Sequence, residues 1–186
     1  MPKLALAAAA ECLGRDDLAR VHYELVARPD PAIADAPFGR ARVALRAGQA
    51  AVATTALDAV PVVSSHRLTA QLATVEAELA GARRLGNGTE PRLRASAARV
   101  ERLPLDPATD ASVRATLFSA AVDLAPTTPA QPGGAPFLGR PFHERELREG
   151  LEQCLRTSAR LTSDPDERIE LVEPRERGPA SDLDVT

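Results

Sequence analysis

The side chains able to do chemistry in this chain are few and scattered. Ser64-Ser65-His66 sets two hydroxyls beside an imidazole, the residue types of a nucleophile and its base. Neighbours in sequence rarely form such a pair, however, and serines at that place read first as a helix N-cap. The histidines His22, His66 and His143 and the cysteines Cys12 and Cys154 lie far apart. No His-x3-His or Cys-x2-Cys spacing occurs, so no metal site is expected. Asp110 stands at an expected helix start and Asp123 is the lone acid of a helical run; capping and solvent exposure account for both. Gly86-Asn87-Gly88 reads as a turn rather than a phosphate cradle, because no strand precedes it. With no convergence of acid, base and nucleophile, no catalytic residue, cofactor site or metal ligand is assigned.

The elements behind these residues follow a period. Ala7 recurs as Ala41, Ala10 as Ala44, Gly14 as Gly48, Ala19 as Ala53 and Val26 as Val60, an interval of 34 residues. Tyr23 falls on Leu57, and Glu24 on Asp58. This is the spacing of a tetratricopeptide (TPR) helix–turn–helix array. Small residues belong where two helices cross, since axes approach to about 8–10 Å only if no large side chain intervenes. The glycines fall where the turn needs a C-cap that tolerates positive φ. The large aromatic expected early in each first helix is missing, with Lys3 and Pro37 in those places.

Composition supports an all-α fold. Of 186 residues, 44% are hydrophobic but only 3% aromatic, and there is no Trp. A core of Ala, Leu and Val suits close-packed helices better than a β-sandwich. A formal net charge of −3 gives no basic footprint for nucleic acid. No apolar run approaches the roughly 20 residues of a membrane span, and Leu4–Ala10 reads as part of a helix, not a signal peptide. Cys12 and Cys154 are expected as buried free thiols, which fits a reducing cytoplasm.

The expected organisation is one TPR-like superhelical domain over 1–173, with repeats at about 2–31, 36–63 and 64–104, a helical extension over 110–173 and a flexible tail at 174–186. The first helix is expected over 1–14 with Leu4, Leu6 and Leu13 near one face. Asp16 or Asp17 caps the next, and Arg28-Pro29-Asp30-Pro31 stops it. The second unit comprises a helix from about Ala32 or Ala36 to Ala47 and its partner from Gln49 to Val60. A third unit starts at Ser64 or Ser65 and is loosened by an insertion from Gly81 to Thr89. A helix from Pro91 to Leu103 follows, then one from Asp110 to Leu124. Pro126–Pro141 is a long Pro- and Gly-rich connection whose Phe137, Leu138 and Phe142 are expected to dock onto the helices. The last long helix spans 143–161 with Leu147, Leu151, Cys154, Leu155 and Leu161 inward, and Glu167–Glu173 is expected to form a short final helix.

In such arrays the first helix of each pair lines a concave groove. That places Ala8, Glu11 and Cys12 from the first unit and Phe38, Arg42, Leu45 and Arg46 from the second at a surface for a protein partner. Arg42 and Arg46 are the residues to fork onto an acidic segment. A second partner-binding surface is expected at Phe137 and Phe142.

The wording of the chain is also distinctive. Pro2-Lys3-Leu4-Ala5-Leu6-Ala7-Ala8, Ala36-Pro37-Phe38-Gly39-Arg40-Ala41-Arg42, Ala56-Leu57-Asp58-Ala59-Val60-Pro61, Ser65-His66-Arg67-Leu68-Thr69-Ala70 and Phe137-Leu138-Gly139-Arg140-Pro141-Phe142 occur in that order. Together, over roughly Pro2 to Leu171, they resemble the C-terminal TPR domain of actinobacterial serine/threonine kinases of the protein kinase G type. The resemblance implies a non-catalytic, cytoplasmic regulatory domain that supports dimerisation and shapes substrate access. Its implied partners are the kinase domain of the same protein, a second copy in a homodimer, and forkhead-associated substrate proteins. The chain has no Gly-rich phosphate loop, His-Arg-Asp or Asp-Phe-Gly sequence and no Cys-x-x-Cys pair. The alternative is a free-standing TPR adaptor with no kinase attached, which the full reading frame would distinguish.

Overall fold

The computed structural model describes residues 2–27, 35–85, 89–125 and 135–161, without the side chains of 83–85 and 89. Among the described residues there are eight helices: α1 Pro2–Cys12, α2 Asp16–Ala27, α3 Asp35–Arg46, α4 Ala50–Asp58, α5 Arg67–Leu85, α6 Thr89–Val100, α7 Pro107–Leu124 and α8 Glu144–Leu161. Each packs on its chain neighbours, and α3 also touches α1 and α5, so the first helices of successive pairs lie side by side. The all-α expectation holds: among the described residues the sole β pairing is an isolated bridge between Phe137 and Arg140.

The 34-residue interval is a packing interval. Ala7, Ala41 and Val75 occupy one register and are all buried, as are Ala19 and Ala53, and Tyr23 and Leu57. The turns repeat atom for atom. Arg15 N–H donates to the Ala10 carbonyl and Gly14 N–H to that of Glu11; Gln49 N–H donates to Ala44 and Gly48 N–H to Leu45. Both are Schellman caps, with Gly14 at φ 67° and Gly48 at φ 75°.

The next position in that series is Ala82, not glycine, and without a left-handed stop α5 continues to Leu85. The expected insertion from Gly81 to Thr89 thus begins inside α5, and residues 86–88 lie outside the described residues. Gly81 lies inside the helix, where an added Cβ would come within 2.6 Å of the Ala50 side chain. Four buried positions then resume on α6 at a longer interval: Ala53, Ala56, Leu57 and Val60 are matched by Leu93, Ser96, Ala97 and Val100. The large and small partners have changed places, Ala-x3-Leu having become Leu-x3-Ala.

The core has three parts. Ala7, Ala10, Ala19, Tyr23, Val26, Ala36 and Val43 fill the first hairpin and its contact with α3. Ala41, Ala44, Ala53, Ala56, Leu57, Val60, Ala70 and Ala77 fill the second. A larger cluster including Val75, Leu79, Leu93, Leu117, Phe118, Phe137 and Leu147 joins α5 and α6 to the extension.

Four further expectations are revised. Leu6 and Leu13 face solvent, at 54% and 78% exposure, because the crossing with α2 needs the alanines Ala7 and Ala10 instead. α7 begins earlier than Asp110, with Pro107 at its first turn and Asp106 as N-cap, whose carboxylate accepts from the backbone N–H of Ala108 and Thr109 at 3.1 Å each. Leu161, at the last described position of α8, is exposed. Cys12 is exposed and Cys154 half-buried, so the cysteines are free as expected but not both buried. The expected starts and stops at 28–34, the short helix at 167–173 and the tail at 174–186 lie outside the described residues.

Phe137 docks as expected. The backbone of Phe137 and Arg140 exchanges two hydrogen bonds, closing a tight turn whose central residues, Leu138 at φ 49° and Gly139 at φ 80°, are both left-handed. A left-handed leucine costs on the order of 1–2 kcal/mol. Burial of its side chain and of the Phe137 ring in the large cluster offsets that cost. Phe137 meets Phe118 and Phe142 edge-to-face at centroid separations of 5.8 and 5.6 Å.

Candidate protein-interaction site

The expected groove residues come together on α1 and α3. Glu11 sits one position before the end of α1, and Arg42 and Arg46 lie one turn apart on the facing side of α3. Arg42 Nε donates to Glu11 Oε1 at 2.9 Å and its Nη2 to Oε2 at 2.9 Å, a bidentate fork. Arg46 Nη1 donates to Glu11 Oε1 at 3.0 Å, while its Nε and Nη2 donate to the two oxygens of Asp16 at 3.2 and 2.8 Å. From beneath, the Tyr23 hydroxyl donates to Glu11 Oε2 at 2.6 Å.

The Glu11 carboxylate is thus held by three donor side chains and is 11% exposed. Its hydrogen bond to Arg42 is the main cause that lowers its pKa from 4.5 to about 2, against the opposing cost of burial, with Tyr23 and Arg46 adding to the effect. Burial, and then the Glu11 charge, push the Tyr23 phenol up to about 12. Both arginines are held more firmly protonated, Arg42 through Glu11 and Arg46 through Asp16.

The expectation that Arg42 and Arg46 face a partner therefore meets an internal competitor. Every nitrogen of the Arg46 guanidinium is occupied. Arg42 keeps Nη1 without a partner among the described residues and is 56% exposed, so that amino group remains for a ligand. Phe38 and Leu45 are half-buried beside them, packed against the second core cluster. Ala8 and Cys12 are exposed along the same helix as Glu11. At the other expected surface, Phe137 is 1% exposed and belongs to the core, and Phe142 is half-buried beneath the Arg94 guanidinium at 5.0 Å.

Asp16 and Tyr23 were not among the sequence candidates for this network, although Tyr23 stood at the repeat position that points back toward α1. A second surface was also missed. On α2, Leu18, Val21 and Leu25 are exposed at three- and four-residue spacing, opposite buried Ala19, Tyr23 and Val26. With Leu6 on α1 and Leu13 in the turn after it, they leave the first hairpin apolar outside as well as in. The signal was present in the sequence as one helix with two apolar faces. Ser64-Ser65-His66 is a turn, in which Ser64 Oγ accepts from the His66 backbone N–H at 3.2 Å. Among the described residues no three His, Cys, Asp or Glu side chains gather to hold a metal, and no helix is long and apolar enough to cross a membrane.

Paired antiparallel helices, first helices abreast along one face and glycine-capped turns at a fixed interval define the chain as a TPR array with a helical extension. The family model described as "Protein kinase G tetratricopeptide repeat" matches residues 1–177, and the chain belongs to that family. It is 37% identical over 172 residues to the serine/threonine-protein kinase PknG of Mycolicibacterium smegmatis and 36% identical over 172 residues to that of Mycobacterium leprae. In each case the match covers 92% of this chain and 22% of the kinase, so the chain spans about a fifth of the length of these relatives. The catalytic kinase domain is absent from this chain.

Proposed function

We propose that this chain is the regulatory interaction domain of a protein-kinase-G-type serine/threonine kinase, acting in the cytoplasm through self-association and through control of substrate access to the kinase domain. The observation that carries the reading is the outer face of the first hairpin. There Leu6, Leu13, Leu18, Val21 and Leu25 are exposed, and apolar side chains gathered on the outside of one hairpin mark a protein contact. The groove of Glu11, Phe38, Arg42, Leu45 and Arg46 is the second contact. There an acidic partner segment would take the open Nη1 of Arg42 and compete with Glu11 and Asp16 for the rest.

Light scattering behind a sizing column tests this, with the chain alone across a concentration series and with the kinase domain added. The expected result is concentration-dependent association that Leu18→Asp with Val21→Asp abolishes while helicity is unchanged. A wild-type chain that stays monomeric at high concentration and does not bind the kinase domain would sink the proposal. Loss of the kinase-domain contact in Arg42→Ala with Arg46→Ala, alongside retained self-association, would assign the two surfaces to the two roles.

A further inference from the structure

The repeat uses one helix face twice under cover, and α1 presents the same face bare. On α3 the face is Ala36, Gly39 and Val43. The Tyr23 ring of α2 lies on Gly39, where an added Cβ would overlap it, and Val26 shares a buried cluster with Ala36 and Val43. At the 34-residue interval, Ala70, Ala73 and Ala77 of α5 pack in one cluster with Ala56, Leu57 and Val60 of α4. Gly81, one turn further, is so close to α4 that a Cβ there would come within 2.6 Å of the Ala50 side chain. In both places small residues let the preceding helix lie close, and larger side chains of that helix fill the furrow.

The same interval counted back from α3 gives Pro2, Ala5 and Ala9 on α1, and all three are exposed. Leu6 stands at the register of Thr74, which is 0% exposed, and Leu13 at that of Gly81, yet the two leucines face solvent. α1 packs on α2 and α3 through Ala7 and Ala10, on its opposite side. It therefore keeps the furrow of α3 and α5 and borders it with two leucines. The polar ends agree. At the start of α5, Arg67 Nη1 donates to the last carbonyls of α4, those of Asp58 and Val60, at 3.0 and 2.7 Å. Lys3 stands at the start of α1, exposed and in no ion pair among the described residues, where an antiparallel helix would bring its own last carbonyls.

We propose that this face of α1 is a repeat-stacking site that takes one amphipathic helix of a protein partner. The helix lies antiparallel to α1, sets large apolar side chains at three- and four-residue spacing over Ala5 and Ala9, and ends at Lys3. This rests on the reading that the outside of the first hairpin is a protein contact, and it names what the α1 side of that contact receives.

The test supplies such a helix at high effective concentration by joining it to the full chain. A copy of residues 35–69, which carries α3, α4 and the turn that follows, is placed ahead of position 2, with Pro2→Ala to reproduce the junction at Ala70. The added unit should dock, unfold with the rest in one transition and raise Tm by about 5 °C or more. Ala9→Glu should shift the Tm of the unextended chain by less than about 1 °C, because Ala9 is exposed, and should erase the gain in the extended one. An added unit that trypsin removes at once with Tm unchanged, or a gain that survives Ala9→Glu, overturns the proposal. If the extended chain does not fold, a synthetic peptide of residues 49–66 added to the unextended chain decides by amide exchange. Protection of α1 that Ala9→Glu removes supports the stacking site, and no protection at millimolar peptide overturns it. Leu18 and Val21 stay open in the extended chain, so self-association is read separately. A loose added unit on a chain that still self-associates would sink the stacking site and leave the interaction reading standing.

Discussion

The first hairpins and the C-terminal extension solve the same packing problem with different materials. Around α1–α3 the core is mostly alanine, with two valines and one tyrosine, and the helices are tied across the sequence by charges: Glu11 to Arg42 and Arg46, and Asp16 to Arg46. Around α7 and α8 the core is leucine and phenylalanine, and most charge pairs are local turns of one helix, such as Asp110–Arg114, Glu144–Arg148 and Glu152–Arg156. A buried methylene is worth about 0.8 kcal/mol, so an alanine crossing gains little from burial per residue. What it gains is closeness, and closeness lets polar side chains on neighbouring helices meet. The N-terminal half is thus specified by a polar network over a thin core, and the C-terminal half by apolar bulk. The thin half also carries the exposed apolar face, as suits a region whose stability is completed by contact with another surface.

The largest effect should come from removing bulk. Phe137→Ala takes away the ring that joins Phe118 to Phe142 and fixes the turn over α7 and α8. A cost of about 3–5 kcal/mol is expected, the usual range for a buried phenylalanine. Urea unfolding followed by circular dichroism measures it. A loss under about 1 kcal/mol would mean that the turn is an accessory and the helices alone hold this half together.

A sharper comparison is available because each half lays an aromatic ring over a helical glycine. A Cβ at Gly39 would overlap the Tyr23 ring, and one at Gly150 would lie 2.7 Å from that of Phe118. The Tyr23 ring is pinned at its far end by the hydroxyl bond to Glu11, whereas Phe118 has no polar anchor. Gly39→Ala should therefore cost about 2 kcal/mol and Gly150→Ala about 1 kcal/mol, both within the range of overpacking in a filled core. Thermal unfolding of the two variants gives the order. The reverse order would show that the polar anchor does not hold the ring in place.

These contrasts mark where the sequence was legible. The interval from Ala7 to Ala41 and from Gly14 to Gly48 announced the hairpins, because small crossing residues and left-handed caps depend on local backbone geometry. It failed at Ala82, where the helix kept going for lack of a glycine and the partner helix resumed at a different interval with large and small residues exchanged. Glu11, Arg42 and Arg46 were placed in one groove by the repeat alone. Their mutual pairing was not legible, since it links side chains 31 and 35 residues apart and depends on the height of α1 against α3. Leu6 and Leu13 were expected near one face of the first helix together with Leu4, although nothing local decides which of two apolar faces a helix turns outward. Phe137 was rightly expected to dock, but its depth in the core follows from tertiary packing.

The charge network gives a smaller effect than the loss of the Phe137 ring, and the most specific one. Glu11→Gln keeps the shape of the side chain and its acceptor for Tyr23 but removes the charge that both guanidiniums enclose. A shift from 4.5 to about 2 corresponds to at most about 3 kcal/mol, and the partial exposure of Arg42 and Arg46 reduces this to about 1–2 kcal/mol. Because the folded pKa lies below the unfolded one, this contribution is complete above about pH 4.5 and disappears as the pH falls toward 2. The stability difference between the wild-type chain and Glu11→Gln should then be level from neutrality to about pH 5 and close toward pH 2. Phe137→Ala, which alters no charge, should show a difference that does not follow this curve. Urea titrations of the three proteins at stepped pH would separate the halves by mechanism rather than by magnitude. If the Glu11→Gln difference persisted unchanged at pH 2, shape and not charge would hold α1 against α3, and the two halves would be built on one principle after all.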